Sequence, residues 1–122
     1  MGLKSKLFRR QPALDACLVD HAAHICEGAV GPHVSKIHTA LFVIDGLSVS
    51  ANELHGQRYG SSTAAAVLTF KTRRNIVNHS YQDAPDNIVG RMTIECLDNE
   101  MVVKESEPYR VPDRRDYGNN YV

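Results

Sequence analysis

The chain has 122 residues, 43% hydrophobic and 23% charged, which suffices for one small core and a single domain. Lys+Arg 14 balance Asp+Glu 14, which argues against holding nucleic acid or an anionic membrane surface by bulk charge. No segment approaches the roughly 18 apolar residues of a membrane span, so neither nucleic acid nor a membrane is an expected partner.

Residues 1–12 are basic, end in Pro12 and read as an N-terminal arm. They lack the apolar run of about 7–15 residues that follows the charges of a signal peptide. The expected location as synthesised is therefore cytoplasmic, and any passage to the periplasm or wall would need a non-classical route. From Ala13 to Val19, Ala13, Leu14, Cys17 and Leu18 fit a short amphipathic helix turn. Residues 24–33 hold two glycines and Pro32, so they read as a turn, with Pro32 suited to a first helical position.

In residues 33–46, Val34, Ile37, Leu41 and Ile44 recur at spacings of three and four and predict a helix closed by Asp45-Gly46. Residues 47–60 read as a loop, with a short helical turn at Ala51 to Leu54. Gly60 then leads into a second helix capped by Ser61 or Ser62, with Val67 and Phe70 facing the core. Residues 75–87 are rich in turn formers and longer than a usual connection, a length that often carries function. A third helix is predicted over 88–101, with Met92 and Cys96 facing inward beside Thr93 or Leu97. Residues 102–122 are charged, hold two prolines and read as an extended or disordered tail. The core domain is thus expected over 13–101.

The helix starts echo one another. Gly31, Gly60 and Gly90 lie 29 and 30 residues apart, and each is followed three, then six or seven, residues later by a small or apolar group. A period in this range marks repeated helical units. The glycine allows a tight turn, and the third residue after it falls on the first inward-facing position. Thr63 and Thr93 occupy that position, where a methyl can be buried while the hydroxyl serves N–H groups at the helix start. The expected fold is all-α, a compact three-helix bundle built from related turn-helix units.

Gly28-x-x-Gly31-x-x-Val34-x-x-Ile37-His38-x-x-Leu41, then Tyr59-Gly60-x-x-Thr63-x-x-Ala66-Val67-x-x-Phe70-Lys71, then Ile88-Val89-Gly90-x-x-Thr93-x-x-x-Leu97 resembles the peptidoglycan-binding domain family over about residues 26–101. The resemblance implies a three-helix fold and a non-catalytic module that targets the cell wall. His38 and Lys71 stand where that family usually has Gln, and the dispersed His33, His38, His55 and His79 read as exposed helix or loop residues.

Chemistry has little purchase on this sequence. Cys17, Cys26 and Cys96 are odd in number and form no CxxC, which argues against a disulfide framework and for a reducing compartment. His21, His24 and Cys26 match no common zinc spacing, so no metal or other cofactor is expected. Cys96 reads as an inert thiol on an apolar face. The pairs Asp98/Glu100 and Asp83/Asp86 are not placed for acid–base work, so no enzyme is expected.

Binding fits better. Sugars present apolar faces ringed by hydroxyls, and Tyr59, Asn75, Asn78, Tyr81, Gln82, Asp86 and Asn87 supply an aromatic surface with hydrogen-bonding groups. Tyr59 has a second reading as a packing residue. Arg74 either pairs with a stem-peptide carboxylate or complements the helix end. The expected ligand is the glycan or stem peptide of peptidoglycan, within a secreted or injected bacterial assembly. The alternative is a protein–protein adaptor or structural component that keeps the fold without glycan binding, working through residues 1–12 and 102–122.

Overall fold

The computed structural model describes residues 2–79 and 82–107. It is all-α: α1 spans Pro12–Ala16, α2 Pro32–Asp45, α3 Ala51–Gly56, α4 Ser61–Arg74 and α5 Arg91–Ser106, with a 3₁₀ turn at His21–Ala23. Among the described residues there is no strand, only two isolated bridges, Ile25 with Val89 and Val30 with Arg58.

Local chemistry sets the helix limits. Pro32 opens α2 at a position whose N–H needs no partner, and Gly46 closes it in the left-handed region at φ 70°. Its N–H donates to the Phe42 carbonyl at 2.8 Å. Ser50 caps α3 by accepting from the Glu53 N–H. Helix α4 ends on Asn75, also left-handed at φ 53°, a conformation Asn tolerates better than most side chains.

The core lies between the three long helices, with α2 packed against both α4 and α5. Val34, Ile37 and Leu41 of α2 meet Val67 and Phe70 of α4 and Ile94, Leu97 and Met101 of α5 in one buried cluster. The segment before α2 ties the other two helix entries together. Ile25 exchanges both backbone hydrogen bonds with Val89, at 2.9 and 2.8 Å, while Tyr59 donates to the Ala29 carbonyl and accepts from the Gly28 N–H, both at 2.9 Å. Tyr59 and Val89 each immediately precede a helix-opening glycine, and both are buried. Gly60 (φ −106°, ψ −160°) and Gly90 (φ −107°, ψ −161°) share one backbone conformation.

Four expectations need correction. The stretch 1–12 is not a free arm over its described residues 2–12: Leu3 and Phe8 are buried in the core, and Ser5 is buried as well. The segment is held by carboxylates, Asp98 accepting from the N–H groups of Lys4 and Ser5 and Glu105 from those of Lys6 and Leu7. Second, α5 begins at Arg91 and runs to Ser106, so residues 102–106 are helix and not tail; residues 108–122 lie outside the described residues. Third, the inward face of α5 is Thr93, Ile94, Leu97, Asp98 and Met101. Met92 is 48% exposed, because it sits two residues after the entry glycine and the inward face begins at the third. Fourth, His38 is not a surface residue but is buried.

Candidate binding cleft

Helices α4 and α5 start alike, yet their free N–H groups meet different fates. At α4 the side chain of Glu53, carried in by the short helix α3, lies over the entry. Its Oε1 accepts from the Gly60 N–H at 3.0 Å and the Thr63 N–H at 2.9 Å, while Oε2 accepts from the Ser62 N–H at 3.0 Å. The Thr63 hydroxyl adds a fourth bond at 2.7 Å. A carboxylate thus supplies the acceptors that a helix start lacks, in the favourable sense of the helix dipole. Burial by itself would raise the Glu53 carboxyl, but the hydrogen bonds from Ser62 and Thr63 outweigh it and hold it at about 2.

His38 extends this network. Its Nε2 lies 2.8 Å from the Thr63 hydroxyl oxygen. Because that hydroxyl gives its hydrogen to Glu53, the imidazole must be the donor, which leaves Nδ1 as the bare nitrogen. Nδ1 is enclosed and has no partner among the described residues. Burial pushes the ring's pKa below the usual imidazole range. Position 38 therefore serves the α4 entry and is not a ligand-facing group.

At α5 no carboxylate of the described residues is delivered. Among those residues the loop after α4 has no counterpart of α3, and Asp83, seven residues before Gly90 as Glu53 is seven before Gly60, is exposed. The His24 ring takes the corresponding place: a Cβ on Gly90 would lie 3.0 Å from its Cε1, as one on Gly60 would lie 2.6 Å from the Glu53 carboxyl carbon. No hydrogen bond joins that ring to α5. Burial and the neighbouring His21 push its pKa below the usual imidazole value. The rings of His21 and His24 lie 4.5 Å apart.

Beside this entry opens a cavity of about 700 Å³, bounded by His21, His24 and Cys26, by Ile76, Asn78 and Gln82 of the long loop, and by Gly90 and the first residues of α5, Arg91 to Thr93. Lys71 and Asp86 line it as a pair, Lys71 Nζ donating to Asp86 at 2.5 Å and to the Ile88 carbonyl at 2.8 Å. Burial would raise the Asp86 carboxyl, but the bonds from Lys71, the Ile88 N–H and Gln82 hold it below the usual carboxylate value. Asn78 and Gln82 close the loop on itself, the Asn78 N–H donating to Gln82 Oε1 at 3.1 Å and the Gln82 N–H to the Asn78 carbonyl at 2.9 Å.

Of the residues expected to bind ligand, Asn78, Gln82 and Asp86 come together on this cavity. Tyr59 does not: it is 1% exposed, and its hydroxyl donates to the Asn87 carbonyl. Its packing reading is the one the structure bears out, and burial raises its pKa far above the usual phenol value. Asn87 contributes that carbonyl, and Asn75 is the exposed cap of α4. Arg74 lies over the Phe70 ring at 3.8 Å and is clamped between Asp45 and Glu100. Tyr81 lies outside the described residues.

Sequence reasoning missed Lys71, His24 and Thr93 as cavity residues. Lys71 was visible as a charge on the inward side of a helix; His24 became legible only once Gly90 was seen to be covered. All three cysteines are free, and burial pushes the Cys17 and Cys96 thiols up to about 11. Among the described residues no three His, Cys, Asp or Glu side chains converge as metal ligands.

Comparison with known proteins finds no matching family model, no matching curated protein and no matching solved structure.

Proposed function

We propose that this chain is a non-catalytic module that binds peptidoglycan, with a three-helix, peptidoglycan-binding-like fold. The observation that carries the reading is the cleft between the α5 entry and the loop of residues 75–87. Its volume, about 700 Å³, is within the usual size of a ligand site. It sets the amides of Asn78 and Gln82 and the carboxylate of Asp86 beside apolar surface from Ile76, Ile88 and Met92. An amide-rich, partly apolar cleft suits a sugar or a short peptide, which offers hydroxyls and amides around apolar faces. The recurrent glycine entries at residues 60 and 90 are a second support, since the motif resemblance rests on those positions.

The adaptor alternative relied on residues 1–12 and 102–122 as free working ends. Burial of Leu3 and Phe8 gives residues 1–12 a structural role instead, while residues 108–122 lie outside the described residues. Cosedimentation with purified sacculi tests the wall reading. The full chain should pellet, and N78A/Q82A should pellet less; pelleting no greater than that of an unrelated helical protein would refute the proposal.

A further inference from the structure

The two equivalent helix entries differ in one respect that points outward. At α4, Glu53 meets the N–H groups of Gly60, Ser62 and Thr63 and the Thr63 hydroxyl. At α5 the equivalent groups are the N–H groups of Gly90, Met92 and Thr93 and the Thr93 hydroxyl. None of the four has an acceptor among the described residues. A 16-residue helix therefore presents its positive end to the cleft without an internal anion.

Thr93 supplies the independent observation. It is 1% exposed and lines the cavity, yet its hydroxyl makes no hydrogen bond. Among wholly enclosed side-chain nitrogens and oxygens of the described residues, only His38 Nδ1 lacks a partner. The Thr93 hydroxyl therefore keeps a small opening, and the cavity is what it opens on. A buried hydroxyl left without a partner carries a desolvation penalty that a ligand atom would relieve.

We infer that the start of α5 is a receptor for a carboxylate carried by the ligand, which meets Met92 and Thr93 as Glu53 meets Ser62 and Thr63 once the His24 ring, which lies over Gly90 and has no hydrogen bond among the described residues to hold it, turns aside. The inference rests on the wall-binding reading for the source of that group, a free carboxylate of the stem peptide. The anion is of single charge, because Lys71 is already paired with Asp86 and the cleft has little further positive charge to offer. Arg91, exposed at the cleft rim, is bound only loosely to Glu95 at 3.9 Å and is free to turn toward the anion. The neighbouring loop amides of Asn78 and Gln82 would then face the rest of the peptide.

The test is a titration of the ¹⁵N-labelled full chain with three probes: N-acetylmuramyl-L-alanyl-D-isoglutamine, the same compound with its carboxylate converted to an amide, and N-acetyl-L-alanine. The acid should shift the amide signals of Met92 and Thr93 and leave Ser62 and Thr63 in place, because Glu53 already fills that site. The amide should shift Met92 and Thr93 much less. Thr93→Val should weaken binding of the acid by about tenfold without lowering the unfolding midpoint, since the lost hydroxyl has no partner in the free protein. Thr63→Val, which removes a bonded hydroxyl, should lower that midpoint. Equal shifts from acid and amide, or still signals at Met92 and Thr93 with every probe, would overturn the carboxylate receptor. Sacculus binding that persisted in that case would leave the wall reading standing. Shifts with N-acetyl-L-alanine but none with either muramyl probe would keep the receptor and remove the wall as its source.

Discussion

Glu53 and Thr63 are joined twice, Oε1 of the carboxylate accepting both the backbone N–H at 2.9 Å and the hydroxyl at 2.7 Å. One acidic side chain from a six-residue helix thereby fixes the start of a neighbouring helix of fourteen residues. The carboxylate is buried, and it persists there because every bond it receives favours the charged form.

The pH dependence follows from that environment. The folded carboxyl is held at about 2 against an ordinary value of 4.5. The resulting stability is fully present above about pH 4.5 and is lost as pH falls toward 2, amounting to about 3 kcal/mol. Glu53→Gln should lower stability at neutral pH by a comparable amount and flatten the acid limb of the curve. Urea melts at a series of pH values would check this; an unchanged slope between pH 4.5 and 2 would show that other carboxylates carry acid unfolding.

The N-terminal segment should behave as part of the core. Phe8 is wholly buried, and its N–H donates to the Ser5 hydroxyl at 3.1 Å. Phe8→Ala should cost about 3–5 kcal/mol, as expected for a large side chain removed from a packed site. Asp98→Asn should cost about 1–3 kcal/mol by weakening the charge-assisted bonds to Lys4 and Ser5. Chemical denaturation measures both, and a midpoint unmoved by Phe8→Ala would return the segment to the status of an arm.

How far these features were legible depends on whether the signal is periodic or spatial. The spacing after Gly60 placed Val67 and Phe70 in the core, because a helix with a fixed start has a fixed inward face. Reading α5 from residue 88 instead of from Gly90 turned Met92 inward and hid Ile94. The basic residues of 1–12 masked the two apolar groups that matter, Leu3 and Phe8, and Asp98 and Glu105, which accept from the N–H groups of Lys4 to Leu7, are more than ninety positions away. For the cleft, Asn78, Gln82 and Asp86 were found through loop composition. Lys71 and Thr93 were not, since a buried amine and an unpartnered hydroxyl are properties of a neighbourhood and leave no trace in spacing. Tyr59 was misplaced for the same reason: an aromatic beside a turn glycine reads equally well as platform or as packing.

The two entry glycines should respond differently to a methyl group. Both have backbone angles open to any residue, so only the neighbour matters. At Gly60 the added carbon would lie 2.6 Å from the carboxyl carbon of Glu53, which four hydrogen bonds hold in place. At Gly90 it would meet the His24 ring at 3.0 Å, and that half-exposed ring makes no hydrogen bond that would stop it turning away. Gly60→Ala should therefore cost about 2–4 kcal/mol and Gly90→Ala about 1 kcal/mol or less. Thermal melts of the two variants decide it, and equal losses would mean that His24 is as firmly held as Glu53.

Thiol reactivity should single out the cleft. Cys26 is exposed and borders the cavity, whereas Cys17 is buried and Cys96 partly so, with thiols raised to about 11. At neutral pH those two hold almost no thiolate, the reactive form. Iodoacetamide should alkylate Cys26 first, and mass spectrometry should show one fast and two slow additions. If occupied, the cleft should slow the fast one; early labelling of Cys96 would contradict the order.

Arg74 offers a separate test of structure against ligand binding. Its guanidinium bonds both oxygens of Asp45 at 2.7 Å and both of Glu100 at 2.5 and 2.7 Å. It thereby links the end of α2 to α5 through α4, and the two carboxyls are held below their usual values chiefly by its hydrogen bonds. A lysine keeps the charge but cannot present the planar fork, so Arg74→Lys should lower stability by about 1–2 kcal/mol while leaving sacculus binding intact. Arg74→Ala should cost more, since it sets the carboxylates of Asp45 and Glu100 in a half-buried place without a counter-charge. Urea melts and cosedimentation on the same variants separate the roles. Lost binding at unchanged stability would show that Arg74 reaches the ligand after all.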